Sequence, residues 1–331
     1  MTDQRLEQLK AWVAEVLDVT DYEVRPASSD ASFRRYFRVI VPGATYIVMD
    51  APPERQDLGP YLAVDARLRS FGLQAPEVID QDLAQGFLLL SDLGDRTYLS
   101  VLNAANADRL YDEALAALRV LQIGGRLDPG FLPPYDAALL RRELAIFPEW
   151  YLGRHLGVAP DASHRAVFEQ VEKVLVAAAL EQPRVWVHRD YHSRNLMLTP
   201  DNNPGILDFQ DAVYGPVTYD LVSLLRDCYI AWPHERISDW LEMYYSDARD
   251  MGLPVGGNLR RFRRWFDLMG VQRHLKAAGI FARLHHRDGK SGYLADLPRT
   301  LGYVWAVSAL YPELAGLKRW LDELEIPGVT A

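Results

Sequence analysis

The chain has 331 residues, 49% of them hydrophobic, and a net charge of −9, which is enough apolar material for one large or two modest folded units. The acidic balance excludes general polyanion binding, since phosphate backbones are held by basic surfaces; neither nucleic acid nor a protein partner is implied. No apolar run reaches membrane-spanning length, the opening "MTDQRLEQLKAWVAEVLDV" is acidic and amphipathic, and Cys228 is the single cysteine, so the expectation is a cytoplasmic protein that binds no membrane and has no disulfide framework.

Leu6, Leu9, Val13, Val16 and Leu17 share one stripe and predict a leading helix over 4–17, ended by Thr20-Asp21. The stretch "YEVRPASSDASFRRYFRVIVPGATYIVMDAPP" holds β-rich runs near 22–26, 34–41 and 45–50, separated by a Ser/Asp/Ala loop and a Pro42-Gly43 turn, and so predicts an antiparallel meander. A helix over 57–71 and two strands in "EVIDQDLAQGFLLLSDL" complete a first domain, 1–92, punctuated by Asp92-Leu93-Gly94-Asp95. In the second domain, 93–331, helical periodicity runs over 97–123, 136–156, 161–181, 217–230, 235–251, 257–284 and 302–323. One β-like island interrupts it, "NLMLTPDNNPGILDF", a hairpin around a Pro/Asn/Gly turn. The fold class is α+β, with a small antiparallel-sheet lobe and a larger, mostly helical one.

That hairpin should carry Asp190 and Asn195, at its entrance, close to Asp208 at its exit. Carboxylates and an amide oxygen are hard ligands that suit Mg²⁺, which leaves room for water and phosphate. The run His188-Arg189-Asp190-Tyr191-His192-Ser193-Arg194-Asn195, followed by Asp208-Phe209-Gln210, has the H-R-D-x-x-x-x-N and D-F-G spacing of a kinase site. Asp190 is then the base, Asn195 and Asp208 the magnesium ligands. A competing reading makes His188 and His192 a zinc pair at i, i+4; it needs a helix where the flanks have β character. Asp220, at a helix start, either compensates the helix dipole or hydrogen-bonds the catalytic-loop backbone, a supporting role shared with His188.

With "VHRDYHSRNLML", "ILDFQDAVYGPVTYDLVSLL", "SSDASFRRYFRV" and "FLLLSDLGDRTYL", the chain resembles the aminoglycoside phosphotransferase and choline kinase-like family, whose bilobal fold is similar to that of protein kinases. The resemblance implies ATP and Mg²⁺ as cofactors. It places the phosphate-covering loop at Ser29, Ser32, Arg34 and Arg35, and the adenine-binding hinge around Leu90 and Asp92. It also exposes a departure: where such kinases carry a phosphate-binding lysine this chain has Met49, and the first lobe has no lysine after Lys10. Arg34, Arg35 or Arg38 would have to supply that charge, with guanidinium suited to bidentate phosphate contact.

Whole stretches, among them "YIVMDAPPE" and "QRHLKAAGIFARLHHRDGKSGYLADLPR", resemble the bacterial sugar kinases that phosphorylate the anomeric hydroxyl of N-acetylmuramate and N-acetylglucosamine in peptidoglycan recycling. This implies ATP-dependent formation of a sugar 1-phosphate. Candidate acceptor contacts are His192, Asp211, Arg273 and Lys276, with the arginines of "NLRRFRRWFDLMGVQRHLKAAG" as a wall for an anionic lactyl group. Rival readings are a kinase for an aminoglycoside or choline-like acceptor, which calls for carboxylates and rings rather than arginines; a nucleotide-binding pseudokinase or regulator, favoured by Met49 alone; and the zinc hydrolase.

Overall fold

The computed structural model describes residues 3–28 and 34–329. It divides into two units, Met1–Arg96 with Met197–Gln210, and Thr97–Leu196 with Asp211–Ala331.

In the first unit, helix α1 (Gln4–Leu17) begins where the Asp3 side chain accepts the Leu6 N–H, a side-chain cap of the kind aspartate favours. Five strands follow: β1 (Glu23–Ser28), β2 (Arg35–Val41), β3 (Ala44–Asp50), β4 (Val78–Asp82) and β5 (Phe87–Ser91), with helix α2 (Gly59–Ser70) between β3 and β4. All neighbours are antiparallel in the order β1-β2-β3-β5-β4. Alternation sends Phe37, Val39, Val48, Phe87 and Leu89 to one face, where Leu9, Trp12 and Val13 of α1 close the core. Each such side chain contributes about 1.5–3 kcal/mol on burial. An ion pair pins the same packing: fully buried Asp50 accepts from Arg5 of α1 at 2.9 and 2.5 Å and from Arg35 of β2 at 2.9 and 2.5 Å.

The second unit is helical, with α3 (Tyr98–Val101), α4 (Ala107–Gly125), α5 (Ala137–Ile146) and α6 (Ala162–Leu180) first. Strand β6 (Arg184–Val187) pairs with β9 (Val213–Pro216); between them in sequence, the hairpin of β7 (Leu196–Met197) and β8 (Gly205–Ile206) falls, but for Leu196, in the first unit's segment Met197–Gln210. Helices α7 (Tyr219–Leu225), α8 (His234–Asp250), α9 (Leu259–Asp288), α10 (Leu297–Ser308) and α11 (Ala315–Glu323) finish it.

Three predicted helices are broken. The run over 97–123 stops at Leu102 because Asn103 and Asn106 turn their side chains on local backbone: Asn106 Oδ1 accepts the Asn103 N–H at 2.8 Å and Asn103 Oδ1 the Ala105 N–H at 2.9 Å, competing with the helical ladder. The run over 136–156 changes at Phe147 into a π-helix, Phe147–His155, with Pro148 in its first turn and one N–H fewer to donate. At this junction Gly279 of α9 comes so close that a Cβ would lie 2.7 Å from the Ile146 carbonyl. The run over 302–323 begins at Leu297 and is interrupted by the turn Pro312–Leu314. None of the helices in the described residues is long and apolar enough to cross a membrane.

Candidate active site

β6 is buried at Val185, Trp186 and Val187 and delivers His188 to a stretch, 188–195, that bends and turns without becoming a helix. Its turns are closed by backbone bonds: the Asp190 carbonyl accepts the His192 N–H at 3.1 Å, and the His192 carbonyl the Asn195 N–H at 2.9 Å. Asn195 Nδ2 also donates to the Asp190 carbonyl at 3.0 Å, which leaves the amide oxygen as its available ligand atom. Below the loop, Asp220 of α7 accepts the N–H groups of His188 (2.7 Å) and Arg189 (2.9 Å) on its two oxygens. Burial pushes its carboxyl up to about 7 against the pull of those two donors. Arg189 adopts φ +76°, a left-handed conformation that costs about 1–2 kcal/mol for a residue with a Cβ. Asp220 is what holds it there.

His188 is buried, accepts the Asp190 N–H on Nδ1 at 3.2 Å, and packs edge-on against Tyr191. Its Nδ1 is spent, and the helix that an i, i+4 zinc pair requires is missing. Among the described residues no group of three or more His, Cys, Asp or Glu is placed to hold a metal. His192 is buried with its ring edge-on to Tyr229, and burial keeps its imidazole below the ordinary range.

Around Asp190 the electrostatics are set by buried cations. Burial raises its carboxyl, but Lys276, Arg273 and Arg189 outweigh that and hold it below the usual carboxylate range, so Asp190 is an anion. Lys276 and Arg273, both buried on α9, meet protein partners. Lys276 Nζ lies 3.0 Å from the Tyr219 hydroxyl and 3.1 Å from Glu143; Arg273 reaches Cys228 Sγ at 3.6 Å. Glu143, on α5, also accepts from Arg189 at 2.5 Å, from Gln272 at 3.1 Å and from Tyr135. Sequence reading missed Glu143, although an acid in the apolar stripe Leu140-Glu143-Leu144 was a legible signal of buried pairing. It also missed Asp227, whose Oδ2 accepts the Ser193 N–H and whose Oδ1 accepts the Tyr229 N–H, both at 2.9 Å. Asp211 is exposed, its carbonyl 3.3 Å from the Arg189 guanidinium.

In the first unit Asp208 also has positive φ, +62°, and its Oδ1 accepts from Gln210 Nε2 at 2.8 Å. The next residue, Phe209, packs at a tilt against Tyr61 of α2, with ring centres 4.8 Å apart. The three candidate phosphate-binding arginines separate clearly. Arg35 is held by Asp50 and Asp3, and Arg38 clamps Asp92 at 2.6 and 3.0 Å and the Gly94 carbonyl at 2.7 Å. Buried Arg34 lies 3.6 Å from Asp208 Oδ1. Met49 is fully buried in the sheet. Leu90 lies within the ladder opposite Ile47 and Val78; the Asp92 carboxylate is spent on Arg38 and the Gly94 N–H. Ser29 and Ser32 lie outside the described residues.

Residues 23–255 match the profile of the phosphotransferase enzyme family. The N-acetylmuramate/N-acetylglucosamine kinase of Pseudomonas putida is 48% identical over 98% of this chain and 97% of the relative; its counterpart from Pseudomonas aeruginosa is 49% identical over 97% of each. Among solved structures, choline kinase LicA from Streptococcus pneumoniae has a TM-score of 0.65 at 14% identity, covering 93% of this chain and 100% of LicA. An ADP-bound aminoglycoside phosphotransferase has a TM-score of 0.57 at 14% identity, covering 92% and 98%. The fold is thus the protein-kinase-like α+β fold these enzymes share, and the chain belongs to the phosphotransferase enzyme family.

Proposed function

We propose that this phosphotransferase is an ATP-dependent sugar kinase, cytoplasmic and serving peptidoglycan recycling, that phosphorylates the anomeric hydroxyl of N-acetylmuramate and N-acetylglucosamine to the 1-phosphate. One observation carries the reading: relatives named for these two sugars match nearly end to end, over a chain whose sequence has Asp190, Asn195 and Asp208 at the kinase-type spacing. ADP in an aminoglycoside phosphotransferase of the same fold supports the choice of nucleotide.

In this reading Asp190 accepts a hydrogen bond from the sugar hydroxyl and takes its proton as the bond to phosphorus forms. The cations around it keep Asp190 ionised, so Arg273 and Lys276 act on the acceptor through that carboxylate. Glu143 in turn stops those cations from neutralising it outright. A hemiacetal hydroxyl is more acidic than an ordinary alcohol and asks little of its base. Asn195 and Asp208 offer the hard oxygens that suit Mg²⁺, which when bound would neutralise charge on the phosphates. Arg34, 3.6 Å from Asp208 Oδ1, is the residue proposed to replace the lysine missing at Met49; Arg35 and Arg38 are directed at Asp50 and Asp92. His192 and Asp211 are the remaining candidates for acceptor contact, and backbone groups around Leu90 and Asp92 for adenine.

The test is incubation with Mg-ATP and a panel of free sugars, their methyl glycosides, aminoglycosides and choline, read by phosphorus NMR. The expected product carries phosphate on the anomeric carbon of both N-acetylated sugars. Turnover of the methyl glycosides, whose anomeric hydroxyl is blocked, or of choline alone would refute the reading.

A further inference from the structure

N-acetylmuramate differs from N-acetylglucosamine in one feature: a lactyl ether on O3 that ends in a carboxylate. A kinase that takes both needs a cation that can meet that carboxylate without being required by the neutral sugar. Three of the α9 arginines are poorly placed for this because their charges are already matched: Arg261 to Glu181 at 2.5 Å, Arg263 to Glu242 at 2.7 Å and Arg264 to Glu313 at 2.5 Å. Arg273 is buried against Cys228.

Arg194 differs in each respect. It stands on the catalytic loop, directly before Asn195 and four residues after Asp190. Its guanidinium carbon lies 3.7 Å from the centre of the Tyr229 ring and 5.2 Å from that of Tyr293. With its guanidinium carbon over a ring, the N–H groups not directed at that ring are left to receive a carboxylate, for which the arginine fork is suited. The nearest acid, Asp296, is 3.8 Å away, beyond hydrogen-bond reach, and is itself bonded to Arg299 at 3.0 Å. No hydrogen bond from the Arg194 guanidinium is made within the described residues, and the side chain keeps 39% of its surface exposed. The platform is fixed by one carboxylate: Asp227 binds the N–H of Ser193, the residue before Arg194, and the N–H of Tyr229, the ring beneath it. Loop and platform are thereby locked in one register.

We infer that Arg194 is a specificity-determining residue, the receptor for the lactyl carboxylate of N-acetylmuramate and for anionic acceptors of that class, and that N-acetylglucosamine is bound without it. The inference rests on the sugar-kinase reading above. Its test is the ratio of kcat/KM for the two sugars in the wild type, Arg194→Met and Arg194→Lys. Losing a charge-assisted bidentate contact should cost N-acetylmuramate about 30-fold in Arg194→Met, with N-acetylglucosamine changed by less than about threefold. Arg194→Lys keeps the charge but not the fork and should fall between. N-acetylglucosamine turnover reports that each variant is folded; if Arg194→Met does not fold, the ratio in Arg194→Lys decides. Equal losses on both sugars, as a structural role for Arg194 would give, or an unchanged ratio, would overturn the inference while leaving the kinase reading intact. A wild type that phosphorylates neither sugar, or only the neutral one, removes the inference as well.

Discussion

Asp220→Asn tests how the catalytic loop is held. In the wild type both carboxylate oxygens are used, at 2.7 Å from His188 N and 2.9 Å from Arg189 N, on a fully buried side chain. Asparagine offers one acceptor, so one of the two N–H groups must face an amide NH₂. A buried donor left without a partner costs about 1–3 kcal/mol. The loss is therefore about 1–3 kcal/mol, or roughly 2–6 °C in melting temperature at about 2 °C per kcal/mol for a chain of this size. The loss in rate should be larger than stability alone requires, because the loop carries Asp190, and a misplacement of about 1 Å can lower turnover about 100-fold. Thermal melting followed by fluorescence, beside a coupled assay for ADP release below the melting range, separates the two effects. A variant that melts within about 1 °C of the wild type and turns over within about twofold would refute the assigned role of Asp220.

Asp190→Asn should lower kcat by about 10²–10⁴-fold, the usual contribution of a positioned base, while calorimetric ATP affinity stays within about twofold; equal losses in both would assign Asp190 to the nucleotide instead. Arg34→Met should weaken ATP binding about 10–100-fold and leave adenosine binding unchanged, as removal of a phosphate-binding guanidinium requires; parallel losses for ATP and adenosine would make Arg34 structural. Asp65 of α2 is buried, and burial, helped by Glu77 and opposed by Arg69, pushes its carboxyl up to about 6. The folded state therefore keeps the proton longer than the unfolded chain, and stability falls as pH rises from about 4 to about 6, by about 1.4 kcal/mol per pH unit before any allowance for solvent. Asparagine does not titrate, so Asp65→Asn should be more stable than wild type by about 2 kcal/mol at pH 8 and equal to it near pH 4. A gain that is the same at both pH values would show that repacking, not charge, is responsible.

The parts of this molecule legible in the sequence are those fixed by local spacing. The α1 stripe, the β2–β3 meander and the loop from His188 to Asn195 all follow from residues within one turn or one ladder of each other. What sequence reading could not supply is pairing across long separations. Arg34, Arg35 and Arg38 look alike along the chain; only the register of β2 on β3, and of β3 on β5, tells that two of them face Asp50 and Asp92. The same holds for Glu143, whose partners Arg189, Gln272 and Lys276 lie on distant elements.

The two anomalies of the sequence, a kinase-type loop without its lysine and an excess of arginine on α9, therefore have different physical standing. On α9, Arg261, Arg263 and Arg264 are paired with glutamates at the surface, in contacts that contribute little. In the first lobe Asp50, the residue next to Met49, is fully buried and draws Arg5 and Arg35 onto itself. A lysine at Met49 would point to the opposite face of the strand from Asp50 and could not use that acid, at a sheet position where the side chain has no exposure. Moving the cation to Arg34, beside Asp208, keeps positive charge near a proposed metal ligand without burying an ammonium in the sheet, where desolvation costs several kcal/mol. On this argument Met49→Lys in the Arg34→Met background should not restore ATP affinity, and a full rescue would show that the sheet position accepts the charge after all.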